Sequence, residues 1–143
     1  MKKIIFLSLS LIGFYSFSQE LSCKDFKEGT FFSKMTDPVN VEYKIVRLAN
    51  TQTEFPGELP DELKGTDFSM APQYAIIEWV DDCTYILKYD ESKTELTEIQ
   101  KMVNKLGGFI NEMVKIEDGC FYYKSTLKFE EGEKSLEGKF CKE

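Results

Sequence analysis

From residue 30 onward, apolar and polar residues alternate along short segments that Gly, Pro, Asn and Asp residues separate. A period of two is typical of half-buried β-strands, because successive side chains on a strand point to opposite faces. In the clearest segment, Val39, Val41, Tyr43 and Ile45 mark one face. The pattern predicts strands over residues 30–35, 39–49, 51–55, 74–80, 84–89, 109–116, 120–129 and 134–140.

The central pair of predicted strands indicates its own register. A three-residue loop at 81–83 would pair Trp79 with Tyr85 and Ile77 with Leu87. Large side chains would then gather on one face, which stabilises a strand pair through cross-strand contacts.

Arg47 has the same parity as Tyr43, so we expect it to point inward or toward the rim of the sheet. A two-residue turn at 50–51 would place Arg47 opposite Glu54. An inward charge needs a partner, for which Glu54 and Glu78 are candidates. Arg47 could tie two strands together or hold a ligand carboxylate, and the structural role is favoured.

One segment has helical periodicity. Ser92 with Glu95 matches a capping box, and Gly107-Gly108 matches a left-handed helix stop. Apolar residues recur between them at intervals of three and four: Leu96, Ile99, Val103 and Leu106. By contrast, residues 56–72 hold three prolines and two glycines and predict a long loop, either functional or a solvated insertion.

These elements predict a mainly β domain of the α+β type. Strands at regular spacing with turn signals between them are typical of an antiparallel meander. We therefore expect about eight strands in a lipocalin-like barrel or a strongly curved sheet, with one inserted helix.

The first eighteen residues have a different pattern. Lys2 and Lys3 precede a nearly unbroken apolar run, which Ser16-Phe17-Ser18 ends with a small-x-small motif. This pattern predicts a signal peptide over 1–18 and a single mature domain over 19–143. The run is too short to span a membrane, which needs about 20 apolar residues. We expect an exported protein, periplasmic or extracellular, with no transmembrane segment in the mature chain.

Composition excludes several functions. Removal of Lys2 and Lys3 takes the formal net charge from −7 to −9, and so acidic a chain repels nucleic acid. The chain has no histidine, which argues against histidine-based catalytic triads and histidine metal sites. Nucleotide-binding glycine motifs are also missing from the sequence. The sequence thus predicts a non-catalytic protein without a cofactor or a metal site.

The four cysteines favour two disulfides in an exported domain, with buried free thiols as the alternative. No C-x-x-C pair suggests zinc. If Phe129 pairs with Gly132 in the last hairpin, Cys120 lies opposite Cys141, within reach of a disulfide unless a bulge shifts the register.

The mature chain resembles a group of small exported bacterial proteins of unknown function. The resemblance rests on the segment Cys23-Lys24-Asp25-Phe26-Lys27-Glu28-Gly29-Thr30-Phe31, on Arg47 with Gln52 and Glu54, and on Glu78-Trp79 followed by Asp82-Cys83-Thr84-Tyr85-Ile86-Leu87. It implies export, a β-rich fold and a Cys23–Cys83 disulfide, which is also the pairing left by elimination. Some such proteins carry the label DNA topoisomerase IV, which an acidic chain without an ATP-binding loop does not support.

Aromatic residues on the predicted inward faces suggest two functions. They could fill an ordinary core, which is the commoner outcome, or line a ligand pocket in a small barrel. The second hypothesis predicts a small apolar ligand, with Trp79, Tyr43, Tyr85 and Arg47 as candidate binding residues. The alternative is a structural or protein-interaction component of the cell envelope.

Overall fold

A computed structural model describes residues 20–35, 40–66 and 69–143. The predicted signal peptide, Val39 and residues 67–68 of the predicted loop lie outside the described residues. The elements are β1 Gly29–Met35, β2 Val41–Leu48, β3 Thr51–Pro56, β4 Gln73–Trp79, β5 Thr84–Tyr89, α1 Glu98–Lys105, β6 Phe109–Glu117, β7 Cys120–Phe129 and β8 Gly132–Lys142, with short 3₁₀ helices at Cys23–Phe26 and Asp61–Leu63.

The eight strands form one closed antiparallel barrel in chain order. Each strand pairs with the next, and β8 returns to β1, where Ser33 lies opposite Phe140 and Phe31 lies opposite Lys142. The predicted mainly β fold is confirmed in its closed form. Closure leaves each inward side chain facing a shared interior, because side chains alternate in and out along every strand.

Two predicted registers are confirmed. In the β4–β5 hairpin, Trp79 lies opposite Tyr85 and Ile77 opposite Leu87. The β7–β8 hairpin keeps one register from Phe129↔Gly132 to Cys120↔Cys141. Cys120 and Cys141 form a disulfide, as predicted, and their Cα atoms are 3.9 Å apart.

The predicted β2–β3 register is wrong. Arg47 lies opposite Gln52, and Glu54 lies opposite Ile45. The turn residues are Ala49 and Asn50, one position earlier than expected, since Ala49 adopts a left-handed φ of 53°. The Thr51 hydroxyl donates to the Leu48 carbonyl across this turn at 2.8 Å. The parity is unchanged, so Arg47 and Glu54 both stay on the inward face.

The predicted helix exists but begins later than Ser92. Its N-cap is Thr97, whose hydroxyl accepts from the Gln100 amide while the Gln100 side chain accepts from the Thr97 amide. Ser92 instead donates to the Asp90 carboxylate from both its amide and its hydroxyl. The Gly107-Gly108 stop is confirmed, with φ of 96° and 89°.

Only part of the predicted apolar helix face is buried. Leu96 and Val103 are buried, whereas Ile99 is 71% exposed. The helix is eight residues long and contacts mainly β5, so two turns cannot bury every apolar position. Ile99 therefore faces solvent although it belongs to the apolar periodicity.

One end of the barrel is closed by the N-terminal 3₁₀ helix. Ser22 caps it, since both its amide and its hydroxyl donate to the Asp25 carboxylate. The Cys23–Cys83 disulfide, the predicted pairing, ties this turn to the β4–β5 hairpin. The Phe26 ring is fully buried and packs against three other rings: those of Phe31, Phe121 and Phe140, with centroids 5.4–5.9 Å away.

The opposite end carries the longer connections. The 57–72 segment joins β3 to β4 there, and α1 lies between β5 and β6. Its described residues, 57–66 and 69–72, form a loop with one short 3₁₀ turn, as the predicted loop requires. Within the part of the chain that the structure describes, no helix combines the length and the apolar character needed to cross a bilayer. We call the barrel end that carries the 57–72 segment and α1 the open end, and the end that Phe26 fills the closed end.

Candidate functional site

The centre of the barrel contains a buried arginine. Arg47 is 2% exposed and points inward from β2. Its Nε donates to Gln52 Oε1 at 2.7 Å, Nη1 to the Phe26 carbonyl at 2.9 Å and Nη2 to the Tyr85 hydroxyl at 2.6 Å. The guanidinium also lies 4.5 Å from the ring centroids of Tyr85 and Phe140. Arg47 therefore joins the closed-end aromatic core to the polar interior above it.

Gln52 connects this arginine to a carboxylate. Its Nε2 donates to Glu54 Oε1 at 2.6 Å, so Arg47, Gln52 and Glu54 form a hydrogen-bonded chain that runs toward the open end. The predicted Arg47–Glu54 pair thus exists only through the amide of Gln52. Glu78, the other candidate partner, pairs with Lys88 on the outer surface.

Above Arg47 the interior holds a cavity of about 140 Å³. Three tyrosines from β5 and β7 form part of its wall: Tyr85, Tyr89 and Tyr123. Other polar groups reach it from β3, β6 and β7: Gln52, Glu54, Asn111 and Ser125. A cavity with a few converging polar groups is typical of small-molecule sites.

Apolar side chains also line the cavity. Phe109 is the first residue of β6 and lies opposite Leu87. Leu136 projects from β8 and is 60% exposed. The cavity wall is therefore part polar and part apolar.

Several cavity-lining polar atoms have no protein partner. Within residues 20–35, 40–66 and 69–143, the hydroxyls of Tyr89, Tyr123 and Ser125 make no hydrogen bond, and Glu54 accepts only the bond from Gln52. No side-chain nitrogen or oxygen in these ranges is both fully buried and unpaired. These unpaired oxygens are therefore accessible to solvent.

A glycine sets the position of one wall. A Cβ on Gly138 would lie 2.6 Å from both Cζ and the hydroxyl oxygen of Tyr123. Because only a residue without a side chain leaves this space, the Tyr123 ring can lie across β8. Gly138 thereby directs the Tyr123 ring along the inner wall.

Burial dominates the electrostatics of this region. It raises the pKa of the Glu54 carboxyl above its ordinary value of 4.5, although the Gln52 hydrogen bond and the Arg47 charge act in the opposite direction. Burial also raises the pKa of Tyr85, Tyr89 and Tyr123, so all three are neutral hydroxyls at physiological pH.

The four predicted ligand-binding residues lie at different depths. Tyr85 lines the cavity, and Tyr43 is half-buried and close enough to Glu54 for that charge to raise its pKa further, after burial. Arg47 lies beneath the cavity. Trp79 lies at the closed end, 5.1 Å from the Tyr85 ring, with the Lys27 ammonium 4.7 Å over its own ring. The structure thus brings only Tyr85 of the four into the cavity wall.

Sequence reasoning did not select Glu54, Gln52, Asn111 or Ser125 as ligand-facing residues. The alternating pattern did contain a signal for Gln52 and Glu54. Both have the same parity on β3, and the inward face of β3 follows from its neighbour Arg47 on β2. Asn111 and Ser125 lie opposite each other on β6 and β7. Their proximity to Glu54 depends on barrel closure, which no local pattern reports.

Comparison with known proteins gives no relatives. The chain matches no family model, no curated protein and no solved structure. No group of three His, Cys, Asp or Glu side chains is placed to hold a metal ion in the described ranges.

The raised pKa of Glu54 predicts a pH-dependent stability. Because the folded state holds this proton more tightly than the unfolded state, the contribution of Glu54 is complete below about pH 4.5 and is lost as the pH rises through the folded pKa. Glu54→Gln should remove this loss. Urea unfolding from pH 3.5 to 8 should show the stability of the variant, relative to wild type, increasing over this range.

The matched control is Glu112→Gln, which removes one carboxylate from the exposed face of β6. The free energy of unfolding of Glu112→Gln should differ from that of the wild type by an amount that stays nearly constant with pH. If the Glu54→Gln difference is equally constant, then Glu54 titrates as in the unfolded chain.

Proposed function

We propose that this protein is an exported, non-catalytic binding protein that holds a small molecule in the open half of its barrel. The cavity of about 140 Å³ carries this proposal, because unpartnered polar groups converge on it inside a fold whose other half is densely packed. A cavity of roughly 150 Å³ holds a molecule the size of benzene. The ligand is therefore compact, with its apolar body against Leu87, Phe109 and Leu136.

Export is supported by two independent features. The basic and apolar pattern of residues 1–18 is typical of a signal peptide. Two disulfides fit a non-cytoplasmic, oxidising compartment. Intact-mass analysis of the protein from expressing cells should give a mature chain beginning at Gln19, and retention of Met1 to Ser18 would contradict export by cleavage.

Binding is tested by native mass spectrometry and thermal unfolding with a panel of compact molecules. We expect at least one compound to form a 1:1 complex and to raise the melting temperature, since a ligand that binds only the folded state stabilises it by mass action. Leu136→Trp should block the entrance and reduce both signals at little cost in stability, because Leu136 is exposed.

Leu48→Trp is the matched control, since Leu48 is 69% exposed and is not part of the cavity wall. It should bind as the wild type does. If no compound binds, or if both tryptophan variants bind equally well, the cavity is not a ligand site.

A second function is favoured by the surface of α1. Ile99 and Met102 are 71% and 45% exposed and lie one helical turn apart beside the open end. Exposed apolar side chains that adjoin one another are found at protein contacts. An envelope protein that docks on α1 would be the partner in this alternative.

A further inference from the structure

The only charged side chain that lines the cavity, within the described part of the chain, is Glu54. The other polar groups there are hydroxyls and amides. A carboxylate beside neutral groups favours a positively charged or hydrogen-bond-donating ligand, because an anion would be repelled by Glu54.

Glu54 has one oxygen occupied and one available. Gln52 donates to Oε1, and throughout the described ranges Oε2 has no hydrogen-bond partner. Gln52 is itself oriented, because its Oε1 accepts from Arg47 Nε at 2.7 Å. The carboxylate is therefore held in one orientation before any ligand arrives, which reduces the entropy lost on binding.

Arg47 does not offer an anion site. It is 2% exposed, and its three hydrogen bonds go to Gln52, Phe26 and Tyr85. Arg47 does not form part of the cavity wall. Burial raises the pKa of the Glu54 carboxyl, and the Arg47 charge below the cavity acts against that effect.

Aromatic side chains line the same space. The rings of Tyr85, Tyr89 and Tyr123 line the cavity together with the Glu54 carboxylate. Cations bind to the faces of aromatic rings, most strongly where water is excluded. The unpartnered hydroxyls of Tyr89 and Tyr123 can accept hydrogen bonds from an ammonium group.

We propose that the cavity binds a small organic cation, whose ammonium group contacts Glu54 Oε2 and the Tyr89 and Tyr123 rings while its apolar body lies against Phe109 and Leu136. This assignment rests on the proposed binding function and adds the charge of the ligand. The ligand class is thus a compact primary amine with a short alkyl or aryl body.

The test compares ligands of one skeleton that differ only in their head group. Benzylamine, benzyl alcohol and benzoate are titrated into the wild-type protein by calorimetry at pH 7, and n-butylamine, n-butanol and butyrate form a second set. We expect at least one amine to bind at least ten-fold more tightly than its alcohol, with no measurable binding of the carboxylates.

Two variants of equal net charge locate the effect. Glu54→Gln should weaken amine binding at least ten-fold, since it replaces a charge-assisted contact by a neutral one. Glu112→Gln removes a carboxylate from the outer surface of β6 and should bind amines like the wild type.

A second pair of variants tests the ring contact. Tyr89→Leu should weaken amine binding more than Tyr89→Phe, because only leucine removes the ring.

The outcomes separate this inference from the binding function. If alcohols bind as tightly as amines, or if carboxylates bind best, the cationic ligand class is wrong and the binding function stands. If amines bind but Glu54→Gln and Glu112→Gln behave alike, the Glu54 contact is wrong. If no compound in this set or in the wider panel binds, both proposals fail. Should Glu54→Gln not fold, head-group selectivity of the wild type decides.

Discussion

Replacing Arg47 with methionine is expected to lower the free energy of unfolding by about 3–5 kcal/mol. Methionine keeps much of the side-chain volume but leaves three buried acceptors without their donor: Gln52 Oε1, the Phe26 carbonyl and the Tyr85 hydroxyl. Glu54 also loses the positive charge of Arg47, which acts against the raising effect of burial on the pKa of the carboxyl. Urea unfolding followed by Trp79 fluorescence would measure the loss.

Two further variants define the cause. Lys44→Met lies on the exposed face of the same strand and should change stability by less than about 0.5 kcal/mol. Arg47→Lys keeps the charge, but its donors all sit on one nitrogen and cannot reach the three acceptors that Nε, Nη1 and Nη2 of arginine reach, so it should recover only part of the loss. An Arg47→Met protein as stable as Lys44→Met would show that the buried chain contributes little.

Replacing Cys23 and Cys83 together with serine is the second large effect, with an expected loss of about 4 kcal/mol from chain entropy. The bond spans 60 residues and fastens the closing 3₁₀ helix to the β4–β5 hairpin. Loss of this anchor also loosens Phe26, which is fully buried and whose carbonyl accepts from Arg47.

The Cys120→Ser, Cys141→Ser pair is the natural comparison. That disulfide spans 21 residues within a hairpin that is already paired, so its removal should cost about 3 kcal/mol or less. Thermal and urea unfolding of both double variants would rank the two bonds. A larger loss for the hairpin bond would mean that the N-terminal helix holds its place without the covalent link.

The binding proposals and the stability predictions concern the same chain of residues. Arg47, Gln52 and Glu54 connect the packed closed half of the barrel to the open cavity. Changes at Arg47 are expected to act mainly on folding, whereas changes at Glu54 are expected to act mainly on binding. The two residues can therefore be separated experimentally although they belong to one network.

Local signals in the sequence predicted most of the architecture. Period-two alternation located the eight strands to within a few residues, because each strand has one face toward the interior and one toward solvent. Turn residues and matched apolar faces also predicted the registers of the β4–β5 and β7–β8 hairpins. The Cys120–Cys141 disulfide followed from the second register, since directly opposed residues lie within disulfide distance.

Local signals were weaker where two similar turns or caps compete. The β2–β3 turn lies at Ala49-Asn50, although 50–51 offers comparable turn chemistry. The helix begins after Thr97 because Asp90 takes the hydrogen bonds of Ser92. At the turn, the Asn50 carbonyl accepts from the amide of Ile77, which is distant in the chain. At the helix start, Asp90 competes for the amide and hydroxyl of Ser92.

By itself, the sequence determined strand order, inward parity and the Cys120–Cys141 pairing, since each depends on spacing along the chain. Only the tertiary structure decided that β8 closes on β1, that Phe26 fills one end, and that a cavity remains in the other. The meeting of Glu54 with Tyr89 and Tyr123 belongs to this second group. These residues lie on three strands, β3, β5 and β7. The distances between them are set by barrel curvature and side-chain packing, which the alternation of residues along one strand does not report.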